Sequence, residues 1–91
     1  MLQLILYSKP GCHLCEGLQE KLVQIQPPPV LEVRDITSRD DWFAAYEYEI
    51  PVLVDAVSQR TLPRPSPRAT VAQLEKMLAK YLSESQQNET K

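Results

Sequence analysis

Residues 8–17 read Ser8-Lys9-Pro10-Gly11-Cys12-His13-Leu14-Cys15-Glu16-Gly17, SKPGCHLCEG, and hold both cysteines and the one histidine of the chain. The flanking residues decide how that pair is presented. Before it, Leu2 to Tyr7 is a β-compatible apolar run that stops at Ser8-Lys9-Pro10-Gly11, the pattern of a buried strand feeding a loop. After it, Leu14, Leu18, Leu22 and Ile25 recur at spacings of four, four and three, one face of a helix that Pro27-Pro28-Pro29 has to end. Cys12 therefore falls at a helix start, with Cys15 one turn in.

Further along, Val30 to Ile36 is a second strand rich in β-branched residues. Thr37-Ser38 offers a cap for a short helix carrying Trp42, Phe43 and Tyr46, whose helical spacing reads as core in preference to a partner-docking patch. Ile50-Pro51-Val52-Leu53-Val54-Asp55 gives a strand opened by a proline, and Ala56-Val57-Ser58 can turn the chain into a weaker strand over Gln59 to Leu62, an antiparallel hairpin. Pro63, Pro65 and Pro67 then forbid regular pairing. Thr70-Val71-Ala72-Gln73 has the form of a capping box, and Val71, Leu74, Leu78 and Leu82 mark the apolar stripe of a last helix. The order βαβαββα requires a parallel pair crossed over by the first helix, with a hairpin added to it. The expected fold is α/β: a four-stranded mixed sheet flanked by helices over residues 1–82, followed by a fraying polar tail, SESQQNETK, at 83–91.

The 91 residues suffice for one core and not for two. A net charge of −2 provides no polycationic surface, so nucleic-acid binding has no electrostatic support. The apolar opening is too short to span a membrane and lacks the positive flank and small-residue cleavage site of a signal peptide, so a soluble cytoplasmic protein without a membrane partner is expected. Two cysteines are too few for a secreted disulfide framework, and a C-x-x-C pair without an export signal points to redox or metal chemistry.

Thiols at i and i+3 across a helix start can be bridged with little backbone movement, because Cα atoms within about 7 Å suffice. The unpaired N–H groups and positive dipole end of the helix favour a thiolate at Cys12, which marks it as the nucleophile. Cys15, deeper in the first turn, would resolve the mixed disulfide formed at Cys12. His13, when protonated, would favour the Cys12 thiolate; the alternative is a side chain that simply faces solvent. A structural zinc site needs four ligands, and Cys12, Cys15 and His13 supply at most three. Covalent c-type haem attachment needs a histidine where Glu16 stands. Two inert structural cysteines would belong on an apolar face, whereas Lys9, Pro10 and Gly11 place Cys12 in an exposed loop.

Leu4-Ile5-Leu6-Tyr7, then Cys12-His13-Leu14-Cys15 opening a helix, then Ile50-Pro51 before a strand, resemble the glutaredoxin-like branch of the thioredoxin superfamily over residues 1 to about 82. The resemblance implies a thioredoxin-like fold with a cis Ile50-Pro51 bond facing the cysteine pair, and an Ile50 backbone that pairs with an extended thiol substrate. It implies a thiol-disulfide oxidoreductase that reduces protein or glutathione mixed disulfides, with Cys12 and Cys15 catalytic and Lys9, His13, Ile50, Pro51 and Arg68 binding substrate. Glutathione or a thioredoxin-type reductase would supply the electrons. No bound cofactor and no metal are expected, and a monomer is. A different class of function on the same fold is a non-enzymatic thiol switch, or a dimer holding an iron–sulfur cluster through Cys12.

Three departures from the family pattern bear on the chemistry. His13-Leu14 replaces the Pro-Tyr common in glutaredoxins and the Gly-Pro of thioredoxins, and Leu6 stands where thioredoxins carry a buried acid. Pro65-Ser66-Pro67-Arg68-Ala69-Thr70 replaces the Gly-Gly turn with which glutaredoxins hold glutathione, so weaker glutathione recognition is expected, with Arg64 or Arg68 able to pair with a carboxylate instead.

Overall fold

The computed structural model describes residues 2–89, with side chains as far as Tyr81. Strand β1 (Gln3–Ser8) lies at the centre of a three-stranded sheet, parallel to β2 (Val30–Asp35) and antiparallel to β3 (Val52–Asp55), in the order β2-β1-β3. Helix α1 (His13–Leu22) makes the crossover between the parallel strands; α2 (Asp40–Tyr46) follows a 3₁₀ turn at Ile36–Ser38, and α3 (Val71–Glu89) closes the chain.

The unbroken apolar run of β1 follows from burial on both faces. Leu4 and Leu6 point to one side and pack with Leu18 and Leu22 of α1, Leu53 of β3, and Leu74, Leu78 and Tyr81 of α3. Ile5 and Tyr7 point to the other side, where Val52, Val54 and Ile36 complete a second, smaller core beneath Trp42 and Tyr46 of α2. There the Tyr7 ring meets Trp42 edge-on at 5.8 Å and Tyr46 at 4.4 Å. Arg34 donates to the Tyr7 hydroxyl at 3.0 Å, pairs with Glu32, and lies over the Trp42 ring at 5.2 Å.

The sheet has three strands, not the expected four. Residues 59–62 meet β3 only at one isolated bridge, Val54 to Thr61, flanked by hydrogen bonds from Asp55 N to Arg60 O (2.9 Å) and from Leu62 N to Leu53 O (2.8 Å). Backwards from this bridge the strand is cut off by Gln59, which is left-handed with φ 64°, and forwards no further backbone bond to β3 forms among the described residues as the chain enters Pro63-Arg64-Pro65, where two prolines fix φ at about −65°. Leu62 is buried all the same, so the segment keeps its packing role without the ladder.

Four local expectations also change. Helix α1 stops at Leu22, four residues before Gln26: the residue ahead of a proline is driven out of the helical region, and the last turn tightens through bonds from Gln24 N to Lys21 O and Ile25 N to Leu22 O. Thr37-Ser38 does not cap α2; Asp35 accepts from Thr37 N at 2.8 Å and caps the 3₁₀ turn, while Asp40 and Asp41 supply negative charge at the α2 start. Of the three aromatics on α2, Trp42 and Tyr46 pack inward and Phe43 is exposed. The α3 backbone runs past the expected boundary at 82 as far as Glu89; the Leu82 side chain and residues 90–91 lie outside the described residues.

The start of α3 is a reciprocal capping box: Thr70 N donates to Gln73 Oε1 at 2.8 Å, and Gln73 N donates to Thr70 Oγ1 at 3.1 Å. Thr70→Ala is expected to cost about 1 kcal/mol, read as a lower urea midpoint at unchanged slope. An unchanged midpoint would show that the box adds nothing to the packing of Leu74 and Leu78.

Candidate functional site

Antiparallel register brings the two halves of the site together. Tyr7 is paired with Val52, so the loop leaving the end of β1 and the Ile50-Pro51 junction entering β3 lie at the same end of the sheet. From Ser8 the chain turns through Gly11, whose φ of 80° is the left-handed conformation glycine accepts without strain, and Cys12 N closes the turn on Lys9 O at 3.2 Å. Cys12 is the N-cap of α1: its backbone is extended, its carbonyl accepts from Glu16 N at 3.0 Å, and its Sγ accepts from Cys15 N at 3.3 Å. The sulfur thus takes the place of a capping oxygen, at the positive end of the helix.

Cys12 and Cys15 are joined as a disulfide with Cα atoms 5.3 Å apart. They differ in access: Cys12 is half-buried, whereas Cys15 is 2% exposed beneath the first turn. Leu6, where a thioredoxin-type acid would sit, is fully buried in the larger core. His13 stands almost entirely in solvent, with Nδ1 3.7 Å from Glu16 Oε2, an exposed pair of little energetic weight.

A groove runs beside the cysteine pair, lined by His13 and Leu14 from between the cysteines, Lys21 from α1, buried Pro51, and Arg64 and Pro65 from the proline-rich loop. The Ile50-Pro51 bond is cis, and the Ile50 carbonyl accepts from Arg64 Nη2 at 3.1 Å. Lys21 Nζ donates to the Pro67 carbonyl at 3.0 Å, pinning the proline loop to α1. His13 and Pro51 therefore share the groove, and Ile50 adjoins it through its carbonyl. Lys9 and Arg68 are exposed and do not line it; Arg64 does. Lys21 had escaped notice in the sequence, although its spacing from Leu14 and Gly17 places all three on one stripe of α1. Among the described residues no group of three or more His, Cys, Asp or Glu side chains is arranged to hold a metal ion, and no helix is long and apolar enough to cross a membrane.

A C-x-x-C pair at a helix N-terminus, beside a cis proline that opens a strand of a mixed sheet, defines a glutaredoxin-like protein of the thioredoxin superfamily. The chain belongs to the family described as Glutaredoxin-like domain (DUF836), whose model matches residues 3–79. A solved structure, the X-ray structure of Northeast Structural Genomics target protein XcR50 from X. campestris, is similar at 29% identity and a TM-score of 0.66, covering 84% of this chain and 95% of that one. No curated protein matches the chain.

Proposed function

We propose that the protein is a small cytoplasmic thiol-disulfide oxidoreductase that reduces protein or glutathione mixed disulfides. The observation that carries the reading is the asymmetry of the pair: a half-buried Cys12 whose sulfur caps the helix, and a buried Cys15 already within bonding reach of it. In the reduced protein, the Cys12 thiolate attacks one sulfur of the substrate disulfide, forming a mixed disulfide and expelling the other half as a thiolate. Cys15, deprotonated to water, then attacks Cys12 Sγ, expelling the second half and closing the Cys12–Cys15 disulfide. Both expelled thiolates take protons from water. Two electrons have passed to substrate, and two glutathione molecules or one dithiol reductase return them.

Pro51 and the Ile50 backbone form the wall against which the substrate lies, His13 contacts it beside the sulfur, and Lys9 and Arg68 meet its outer parts. The helix end stabilises the reduced thiolate, and the apolar surroundings of Cys15 oppose this. The couple is therefore expected in the reducing half of the range from about −270 to about −120 mV. Equilibration with glutathione buffers of known ratio, followed by thiol counting, gives the potential. A value above about −150 mV would replace the reductase reading with that of an oxidant.

A further inference from the structure

Strand β2 is an edge of the sheet, and among the described residues no strand pairs with its outer side. The register fixes which of its main-chain groups face outward. Val30 N donates to Leu2 O at 2.9 Å, and in a parallel ladder alternate residues bond the neighbour, so Val30, Glu32 and Arg34 turn their N–H and C=O groups to β1. Those of Leu31, Val33 and Asp35 therefore point away from the sheet. The Asp35 carbonyl accepts from Ser38 Oγ at 2.6 Å and keeps a second lone pair. Val33 is 41% exposed beside a β1 that is buried from Leu4 to Tyr7. Charged residues on an edge ordinarily keep other strands away. On β2, however, Glu32 and Arg34 carry opposite signs on one face of the strand and already pair with each other.

We propose that β2 is a self-association edge: two copies of the chain pair β2 with β2, antiparallel and with Val33 opposite Val33, so that both molecules share one continuous sheet in place of the expected monomer. In this register the outward groups of the two Val33 residues bond each other, and those of Leu31 bond those of Asp35 in both directions. Glu32 falls opposite Arg34 of the second copy, and Arg34 opposite its Glu32, at the non-hydrogen-bonded sites where side chains approach most closely. Each carboxylate then lies between two guanidiniums. A two-fold axis through the sheet keeps side chains of one face opposite those of the same face, so the nearest alternative registers centre on Glu32 or on Arg34. Centring on Glu32 sets Glu32 against Glu32, and Asp35 against Pro29, which has no N–H. Centring on Arg34 sets Arg34 against Arg34, and Leu31 against Thr37, whose N–H is already donated to Asp35 Oδ1. Antiparallel pairing also sends the two cysteine pairs to opposite ends of the joined sheet, so association uses neither of them.

Sedimentation equilibrium on the full chain, with dithiothreitol present to prevent intermolecular disulfides, reads the association directly. The paired segment is short, so the native protein is expected at its single-chain mass at about 1 μM and to approach twice that mass at about 1 mM. Val33→Pro removes an N–H that points away from β1, so it should leave the far-UV circular dichroism unchanged and hold the protein at its single-chain mass throughout. Glu32→Arg, which sets a second guanidinium against Arg34, should weaken association at least about tenfold, and Glu32→Gln about threefold. A single-chain mass at every concentration in the native protein would overturn the proposal, as would dimers that survive a folded Val33→Pro. Tighter association in Glu32→Gln would also overturn it, by showing Glu32 opposite Glu32. Should Val33→Pro not fold, the Glu32 series decides, since association indifferent to Glu32→Arg overturns the β2 edge.

Discussion

Cys12→Ser is expected to abolish disulfide turnover, with a loss of at least about 10³-fold against any disulfide the native protein reduces. A serine hydroxyl could still cap α1, so the fold should survive while the nucleophile disappears; far-UV circular dichroism separates the two. Cys15→Ser should behave differently. The attack by Cys12 remains, resolution is lost, and a one-to-one mixed disulfide at Cys12 accumulates, visible as a mass increase that dithiothreitol reverses. In the reduced native protein, iodoacetamide should modify Cys12 before Cys15, which is 2% exposed, and at a pH below that needed by an ordinary thiol. Turnover retained in Cys12→Ser, or first labelling at Cys15, would reverse the assigned roles.

The placement of the pair was legible because local chemistry fixes it. Pro10 and Gly11 end the strand and set the turn, which leaves Cys12 as the N-cap whatever the rest of the chain does. The continuous apolar run of β1 likewise announced a strand covered on both faces, as the separate packing of Leu4 and Ile5 shows. That the expected fourth strand does not form was not legible, since Arg60, Thr61 and Leu62 make the right contacts but the left-handed Gln59 beside them is decided by closure of the 55–59 turn, where Gln59 N donates to Asp55 O at 2.8 Å. Contacts from Lys21 to Pro67 O and from Arg64 to Ile50 O leave no trace in sequence either, because a long cation on a distant backbone carbonyl needs no particular residue at the accepting end. Tyr81 lies three residues after Leu78 on the same face of α3 and is buried, a core position that a stripe of leucines and valine does not mark.

Tyr81 leads to the second large expected effect, the loss of stability when Asp55 is replaced. Asp55 sits at the end of β3 remote from the cysteines, paired with Leu4, and is 7% exposed. Its Oδ2 accepts from the Tyr81 hydroxyl at 2.7 Å and from Ser58 Oγ at 2.9 Å, and its Oδ1 accepts from Val57 N at 3.0 Å. One carboxylate therefore ties the turn after β3 to helix α3. Burial pushes its pKa up, but the bonds from Tyr81, Val57 and Ser58 together outweigh burial and hold it below the ordinary carboxylate range. A carboxyl depressed in the folded state adds stability that is present above its unfolded value of about 3.9 and is lost as pH falls through the folded value. Asp55→Ala should cost about 2 kcal/mol at pH 7, because it strands the Val57 N–H and leaves the Tyr81 hydroxyl with Ser58 Oγ, at 2.9 Å, in place of the carboxylate. Asp55→Asn keeps the shape without the charge, so it should be less stable than the native protein at pH 7 and close part of that gap as pH falls below about 4. Asp41, held low by its hydrogen bond with exposed Arg39, is common to both proteins and drops out of the difference. Urea unfolding of native and Asp55→Asn protein between pH 3 and pH 7 measures that difference, and parallel stability curves would show that the Asp55 charge does not hold α3 to the sheet.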